Sequence, residues 1–297
     1  MKPRFSRALL LLALAVLAAA FAPSSFARAT KTVTLVGKVQ AMHADYFKAG
    51  RATYSYRLHT KHGYVRLRTN RREVNFAGQR VKAHGVQKGR VLKVAPGGIR
   101  IVGRRTASAA NASGPHHVLV LLVNFQDNKA EPLSAQEVYA REFTNSNSVA
   151  AYYQQESFGQ VTLNGEVHGY FTINDSSASC NWQAYGADAD AAAQAAGINV
   201  NNFDNIVYFW PGLQSCGWSG LAYMPGDRSY INGNFMTLVA AHELGHNLGV
   251  HHASSFNCTA NGQRVPISTS CTASEYGDPF DTMGNICLLY TSDAADE

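Results

Sequence analysis

Short stretches that alternate apolar and basic side chains fill the chain between residues 31 and 102. Three of them are 32–36, 64–68 and 90–94, and glycines stand at the breaks between such stretches. Alternation with a period of two residues is typical of strands with one buried and one hydrated face. The pattern predicts half-buried antiparallel strands in a small all-β domain over residues 30–103, either a barrel or a sandwich.

Further along, apolar runs mix with helical spacing. Ser134 followed by Glu137 resembles a helix-capping box, and residues 149–158 have helical spacing. The sequence therefore predicts an α/β domain over residues 117–286. Residues 118–125 form a continuous apolar run that predicts a strand covered on both faces. The alternating stretch 160–173 and the run 204–210 predict two further strands.

Two segments outside these domains have their own signatures. Residues 1–29 combine a basic start, an apolar run too short to span a bilayer comfortably and a small-residue cleavage pattern. They predict a signal peptide, and so an exported protein without stable membrane insertion. Residues 104–116 begin with Arg104 and Arg105 and lack periodicity, which indicates an exposed linker that a protease can cut.

Charge divides the chain at this linker. From residue 30 to 105 there are 18 lysines and arginines against only Asp45 and Glu73, whereas residues 106–286 hold 4 basic and 15 acidic residues. We expect the basic domain to dock on the acidic one as a pro-domain or chaperone, because opposite charges attract. Binding to an anionic wall polymer is the alternative, and nucleic acid is not an expected partner.

The chain has five cysteines, an odd number for an exported protein. The last one, Cys287, opens a run (287–297) that back-translates to a transposon-library sequencing adapter, so we interpret this run as an artefact and expect the natural domain to continue past Ile286. The other four suit two disulfides with three connectivities. We favour one of them, because a short loop rich in Gly, Thr and Ser separates its second pair: Cys180–Cys216 with Cys258–Cys271.

The candidate chemistry lies in residues 235–252. Apolar spacing there predicts a buried helix with His242 and His246 one turn apart on the same face. Both imidazoles can then reach one zinc ion at about 2.0–2.1 Å. Glu243 lies about 100° around the helix, which suits a catalytic base that does not bind the metal itself.

A third ligand must come from beyond the helix. Gly249 tolerates the left-handed conformation that ends a helix, so the chain can turn there and bring His252 back to the metal. His251 is the rival, and the motif spacing favours His252. A lone histidine is usually structural, but three at this spacing beside Glu243 predict a zinc site.

The spacing His-Glu-x-x-His-x-x-Gly-x-x-His, with Met283 in a turn-rich stretch downstream, resembles the metzincin zinc proteases. The sequence His-Glu-Leu-Gly-His-Asn-Leu-Gly, with Tyr-Gly-Asp and Asp-Thr-Met-Gly after it, is similar to the corresponding motifs of the gametolysin-like secreted peptidases. The resemblance implies a twisted mixed sheet over an active-site helix, and Met283 as a packing base below the histidines. It also implies three histidines plus water on zinc, and an endopeptidase acting on extracellular proteins or wall glycoproteins.

Two other interpretations stay open. A secreted wall-binding or adhesion protein could use a zinc site for its fold alone, although Glu243 beside the first ligand argues against it. Calcium is undecided, because the sequence has no loop of the Asp-x-Asp-x-Asp-Gly type. Four carboxylates are candidate calcium ligands: Asp127, Asp175, Asp204 and Asp227.

Overall fold

The computed structural model describes residues 31–69, 76–103, 112–233 and 235–284, and within them the fold is mixed α/β, with much more sheet than helix. The helices are α1 Ala135–Tyr139, α2 Val149–Glu156, α3 Trp182–Ala195 and α4 Thr237–Asn247. The strands are β1 Lys31–Tyr46, β2 Arg51–Thr60, β3 Gly63–Arg68, β4 Arg80–Lys88, β5 Val91–Ile101, β6 Gly114–Phe125, β7 Val161–Ile173, β8 Asn205–Trp210, β9 Gly220–Met224, β10 Arg228–Asn232, β11 Ser255–Asn257, β12 Thr259–Ala260, β13 Gln263–Arg264 and β14 Thr272–Ser274.

The first five strands close into a small barrel. They pair in the order β2-β3-β5-β4-β1, and β1 also pairs with β2. Closure is possible because β1 is long: its start, from Lys31 to Lys38, pairs with β4, and the remainder pairs with β2. Leu58 and Leu92 are fully buried inside. Of the two arrangements predicted for these strands, the pairing gives the barrel, while its independence as a domain stays a prediction.

The same sheet continues past β1 through β9-β10-β8-β6-β7. Parallel pairs of β6 with β7 and β8, and of β8 with β10, adjoin an antiparallel pair of β9 with β10, so this part is mixed. Every side chain of β6 from Val118 to Phe125 is buried, as its apolar run predicted. β6 begins at Gly114, inside the predicted linker, and Pro115 fits there because the start of a strand tolerates a missing N–H.

Helices cover both faces of this mixed part. On one face α3 packs Tyr185 and Ala189 against the sheet, and on the other α2 and α4 contribute Tyr153 and Leu244 to the second core. The predicted capping box is present at α1, where the Ser134 hydroxyl accepts a hydrogen bond from the Glu137 N–H and the Glu137 carboxylate accepts one from the Ser134 N–H. A single π-helical turn, Ala140–Thr144, follows α1.

Two disulfides join the loops around this core. They are the favoured pairs, Cys180–Cys216 and Cys258–Cys271. In the described part of the chain, no helix is both long enough and apolar enough to cross a membrane. The predicted signal peptide (1–29), most of the linker and the adapter-like run (287–297) lie outside the described residues.

Candidate metal centre

The three predicted histidines converge at the end of α4. His242 and His246 lie on this buried helix, and His252 follows it. The Nε2 atoms of His246 and His252 are 3.2 Å apart. A tetrahedral zinc ion with bonds of about 2.0–2.1 Å spaces its ligand atoms by roughly 3.3 Å, so this separation fits two ligands of one ion.

Gly249 brings His252 back towards the helix, as predicted. α4 ends at Asn247, and Gly249 has a φ of 93° in the left-handed region. Its N–H donates to the His246 carbonyl at 2.9 Å, which closes the last turn. The rival His251 is outside the cluster of candidate ligand atoms that includes His252.

Backbone and side-chain acceptors orient the three imidazoles. Because a carbonyl oxygen only accepts, a ring whose Nδ1 contacts one carries its hydrogen there and turns Nε2 towards the cluster. Burial lowers the pKa of His242 to about 3, which keeps this ring in the neutral form that binds metals. The Nδ1 contacts are His242 with the Thr282 carbonyl at 2.8 Å, His246 with the Val250 carbonyl at 2.9 Å, and His252 with the Glu275 carboxylate at 3.1 Å and the Tyr54 hydroxyl at 3.3 Å.

A fourth candidate ligand, Asp45, comes from β1 in the barrel. Its carboxylate lies 2.9 Å from Nε2 of His252, 3.6 Å from that of His246 and 3.9 Å from that of His242, and it is completely buried. The ligand atoms of all four residues lie within 4.8 Å of one another. Where the resemblance implied a water molecule as the fourth ligand, the structure places this carboxylate.

Strand pairing and one phenol hold Asp45 in place. Residues Ala41 to Asp45 of β1 pair antiparallel with β9, and Asp45 stands opposite Gly220. The Tyr276 hydroxyl donates to the Asp45 carboxylate, and the Tyr276 ring lies 4.2 Å from that of His252. Burial alone would raise the pKa of Asp45, but its contacts with the histidines hold it well below its usual range.

The predicted base, Glu243, is fully buried next to His242. Neither of its carboxylate oxygens has a hydrogen-bond partner among the described residues. Burial, and then the charge of Asp45, raise the pKa of Glu243 well above its ordinary value. Below the helix, the Met283 sulfur packs against Gly245 so closely that a Cβ there would lie 2.6 Å from it, consistent with a packing role for this methionine.

Comparison with known proteins gives a match to one family model. Residues 131–264 match the family model for gametolysin peptidase M11. This segment of the chain is similar to gametolysin-family peptidase domains. The resemblance to gametolysin-like peptidases is thereby confirmed, and the matched segment contains His242, Glu243, His246 and His252. No curated protein matches the chain.

The donor set at the candidate metal centre fits a divalent metal such as zinc. Three imidazole nitrogens and a carboxylate oxygen are ligands that zinc takes in a tetrahedral site. Nε2 of His242 and one oxygen of Asp45 are buried without a hydrogen-bond partner in the described part of the chain, which is unusual for polar atoms and fits a bound cation. Among the described residues, these four side chains form the one group of at least three histidines, cysteines or carboxylates close enough to share a metal.

The four carboxylates considered for calcium do not come together. Each engages a different group: Asp127 accepts from the Ser177 N–H, Asp204 accepts from the His117 N–H, Asp227 pairs with Arg228, and Asp175 interacts with Asp188. Their positions give a calcium site no support.

Proposed function

We propose that the protein is a secreted zinc endopeptidase of the metzincin type, with zinc held by His242, His246 and His252 and with Glu243 as the base. The convergence of three oriented imidazoles beside Glu243, a buried carboxylate whose oxygens lack a partner in the described residues, carries the proposal. A purely structural zinc site needs no such carboxylate next to its first ligand.

The bound metal and the side chains around it have different roles in peptide hydrolysis. Bound zinc supplies a Lewis acid that polarises the scissile carbonyl. Glu243 takes a proton from the attacking water on its carboxylate and passes it to the nitrogen of the leaving amine. Gly220 of β9 leaves room for that carboxylate, because a Cβ at this position would overlap Oε1 of Glu243.

Export and substrate class follow from other features of the chain. Two disulfides suit an oxidising compartment, and the start of the sequence is typical of a signal peptide. Extracellular proteins or wall glycoproteins are therefore the proposed substrates. The basic domain is a pro-domain or chaperone that docks on the acidic domain, with activation by cleavage near Arg104 and Arg105.

A second function is favoured by one observation. With Asp45 the candidate metal site has four protein ligands, and closed four-ligand sites are typical of structural zinc. The chain would then be a secreted wall-binding or adhesion protein whose basic domain binds polyanions. In that case Glu243 would have no chemical task, and its replacement would leave function unchanged.

Replacing Glu243 separates the two functions. Glu243→Ala should retain one zinc per chain and lose cleavage of casein by at least about 100-fold, because the base is removed while all three imidazoles remain. His246→Ala should lose the metal itself, and His251→Ala is the matched control that should keep both. Zinc is measured by mass spectrometry, and cleavage on chains cut at the linker. Undiminished cleavage by Glu243→Ala would contradict the assignment of the base.

A further inference from the structure

Strand β1 belongs to two parts of the fold at once. Its whole length pairs within the barrel, first with β4 and then with β2, and Ala41 to Asp45 also pair with β9, the strand of the mixed part that lies next to the barrel. Without β1, the edge of β9 would present unpaired N–H and C=O groups beside the histidine cluster. Such an edge is where an extended peptide adds to a sheet.

The Asp45 carboxylate lies at distances from the three imidazoles that suit a ligand of the same metal ion. Its distances to the three Nε2 atoms, from 2.9 to 3.9 Å, bracket the roughly 3.3 Å that separates ligand atoms around a tetrahedral zinc ion. The Tyr276 hydroxyl binds one of its oxygens, and the other has no hydrogen-bond partner among the described residues. A ligand carboxylate commonly has such a donor beside it.

The charge around Asp45 calls for a cation. A fully buried carboxylate is costly unless a positive charge accompanies it. Asp45 is one of only two acidic residues between 30 and 105, yet its ion-pair contacts among the described residues are with histidines and none is with a lysine or arginine. A metal ion held beside the three imidazoles is the partner that balances the charge.

We propose that Asp45 is the fourth ligand of the metal and keeps the enzyme latent while β1 stays in the sheet. The inference rests on the proposed zinc site at the three histidines. The region before residue 106 contains no cysteine, so a thiolate from it cannot take this position. Withdrawal of β1 removes Asp45 from the metal, which can then bind substrate, and it also exposes the edge of β9. One movement therefore causes both changes.

The affinity of a small zinc-binding probe for the metal tests whether Asp45 occupies a ligand position, and the test does not rely on catalysis. The uncut, zinc-loaded chain is prepared in a Glu243→Ala background, so that it cannot digest itself, and acetohydroxamate is titrated by calorimetry. Asp45→Asn should bind the probe at least about tenfold more tightly than the parent, because a competing ligand lowers apparent affinity by the fraction of open sites. Glu73→Gln, which removes the other carboxylate of this half, is the control and should bind like the parent.

Each outcome bears on a different claim. If Asp45→Asn and its parent bind the probe equally tightly, with one zinc bound in both, then Asp45 is not the fourth ligand of the metal and the proposal is overturned. Absence of zinc from every variant contradicts the proposed zinc site instead. If Asp45→Asn fails to unfold cooperatively, Tyr276→Phe replaces it: loss of the donor to Asp45 should tighten probe binding in the same direction by a smaller factor, and an unchanged affinity overturns the proposal.

With Glu243 intact, uncut Asp45→Asn should bind the probe but should not cleave casein, because β1 still covers the edge of β9. Cutting at the linker should restore cleavage in both the parent and Asp45→Asn. Cleavage of casein by uncut Asp45→Asn would show that β1 does not block the edge of β9, which contradicts the single movement proposed for both changes.

Discussion

Glu142 is a fully buried carboxylic acid in the π-helical turn after α1. Burial raises its pKa from about 4.5 to about 8, and one of its oxygens has no hydrogen-bond partner among the described residues. The folded protein therefore holds this proton more tightly than the unfolded chain does. Its contribution to stability is complete below the unfolded pKa and is lost as pH rises through the folded pKa, about 8.

Replacing Glu142 with a side chain that does not ionise should change how the melting temperature depends on pH. Glu142→Gln should raise the melting temperature relative to the parent more at about pH 9 than at about pH 5, because only the parent must ionise a buried group at the higher pH. Circular dichroism at both values checks it, with the exposed Glu156→Gln as control. The same change in melting temperature at both pH values would contradict a buried, raised pKa at Glu142.

Of the residues at the candidate metal site, those close in sequence were predictable and the distant one was not. His242, Glu243 and His246 share one helix whose geometry fixes their relation, and Gly249 marks where His252 can return. Asp45 reaches the cluster only through pairing of β1 with β9, which no local pattern specifies. The sequence did contain one signal for Asp45: it is one of two acidic residues among the 18 basic residues between positions 30 and 105.

The turn after α4 is an element on which the whole site depends. Gly249 adopts a φ of 93°, where any other residue is strained by about 1–3 kcal/mol. Gly249→Ala should destabilise the fold by about that amount and weaken zinc binding by about 10–100-fold, because His252 would be displaced.

Gly262 provides a matched control for this substitution. It has a φ of 76° in the exposed turn between β12 and β13, so Gly262→Ala carries a similar backbone strain away from the histidines. Unfolding by denaturant gives the stability, and competition with a chelator gives the zinc affinity. If both variants keep the parent's zinc affinity, the turn does not position His252 as described.

Among the secondary-structure elements, those with strong hydrophobic contrast were predictable. Apolar runs predicted β6 and β8, alternation predicted β7, and the capping box at Ser134 predicted the start of α1. The alanine-rich α3 was not anticipated, because small residues on every face leave little amphipathic contrast. Closure of the barrel was also undetermined, since it depends on β1 pairing with different strands along its length.

At the scale of the whole molecule, the two halves meet through β1 and its carboxylate, and the general attraction between their charges stays a prediction. Arg104→Gln with Arg105→Gln should leave the chain uncut by a trypsin-like protease at the linker and keep it inactive on casein, because β1 would stay tethered in the sheet. Arg100→Gln, in β5, removes a similar charge as control. Full activation of the double variant without a cut would exclude the linker as the point of release.

The most direct measurement is a zinc titration of the linker-cut protein after a chelator has removed its metal. Cleavage of casein should be absent from the metal-free protein and should return in proportion to added zinc until one ion per chain is bound, because a single site of three histidines and one base carries the chemistry. Full cleavage by the metal-free protein, or none at one bound zinc per chain, would contradict the assignment of a zinc peptidase centre to His242, Glu243, His246 and His252.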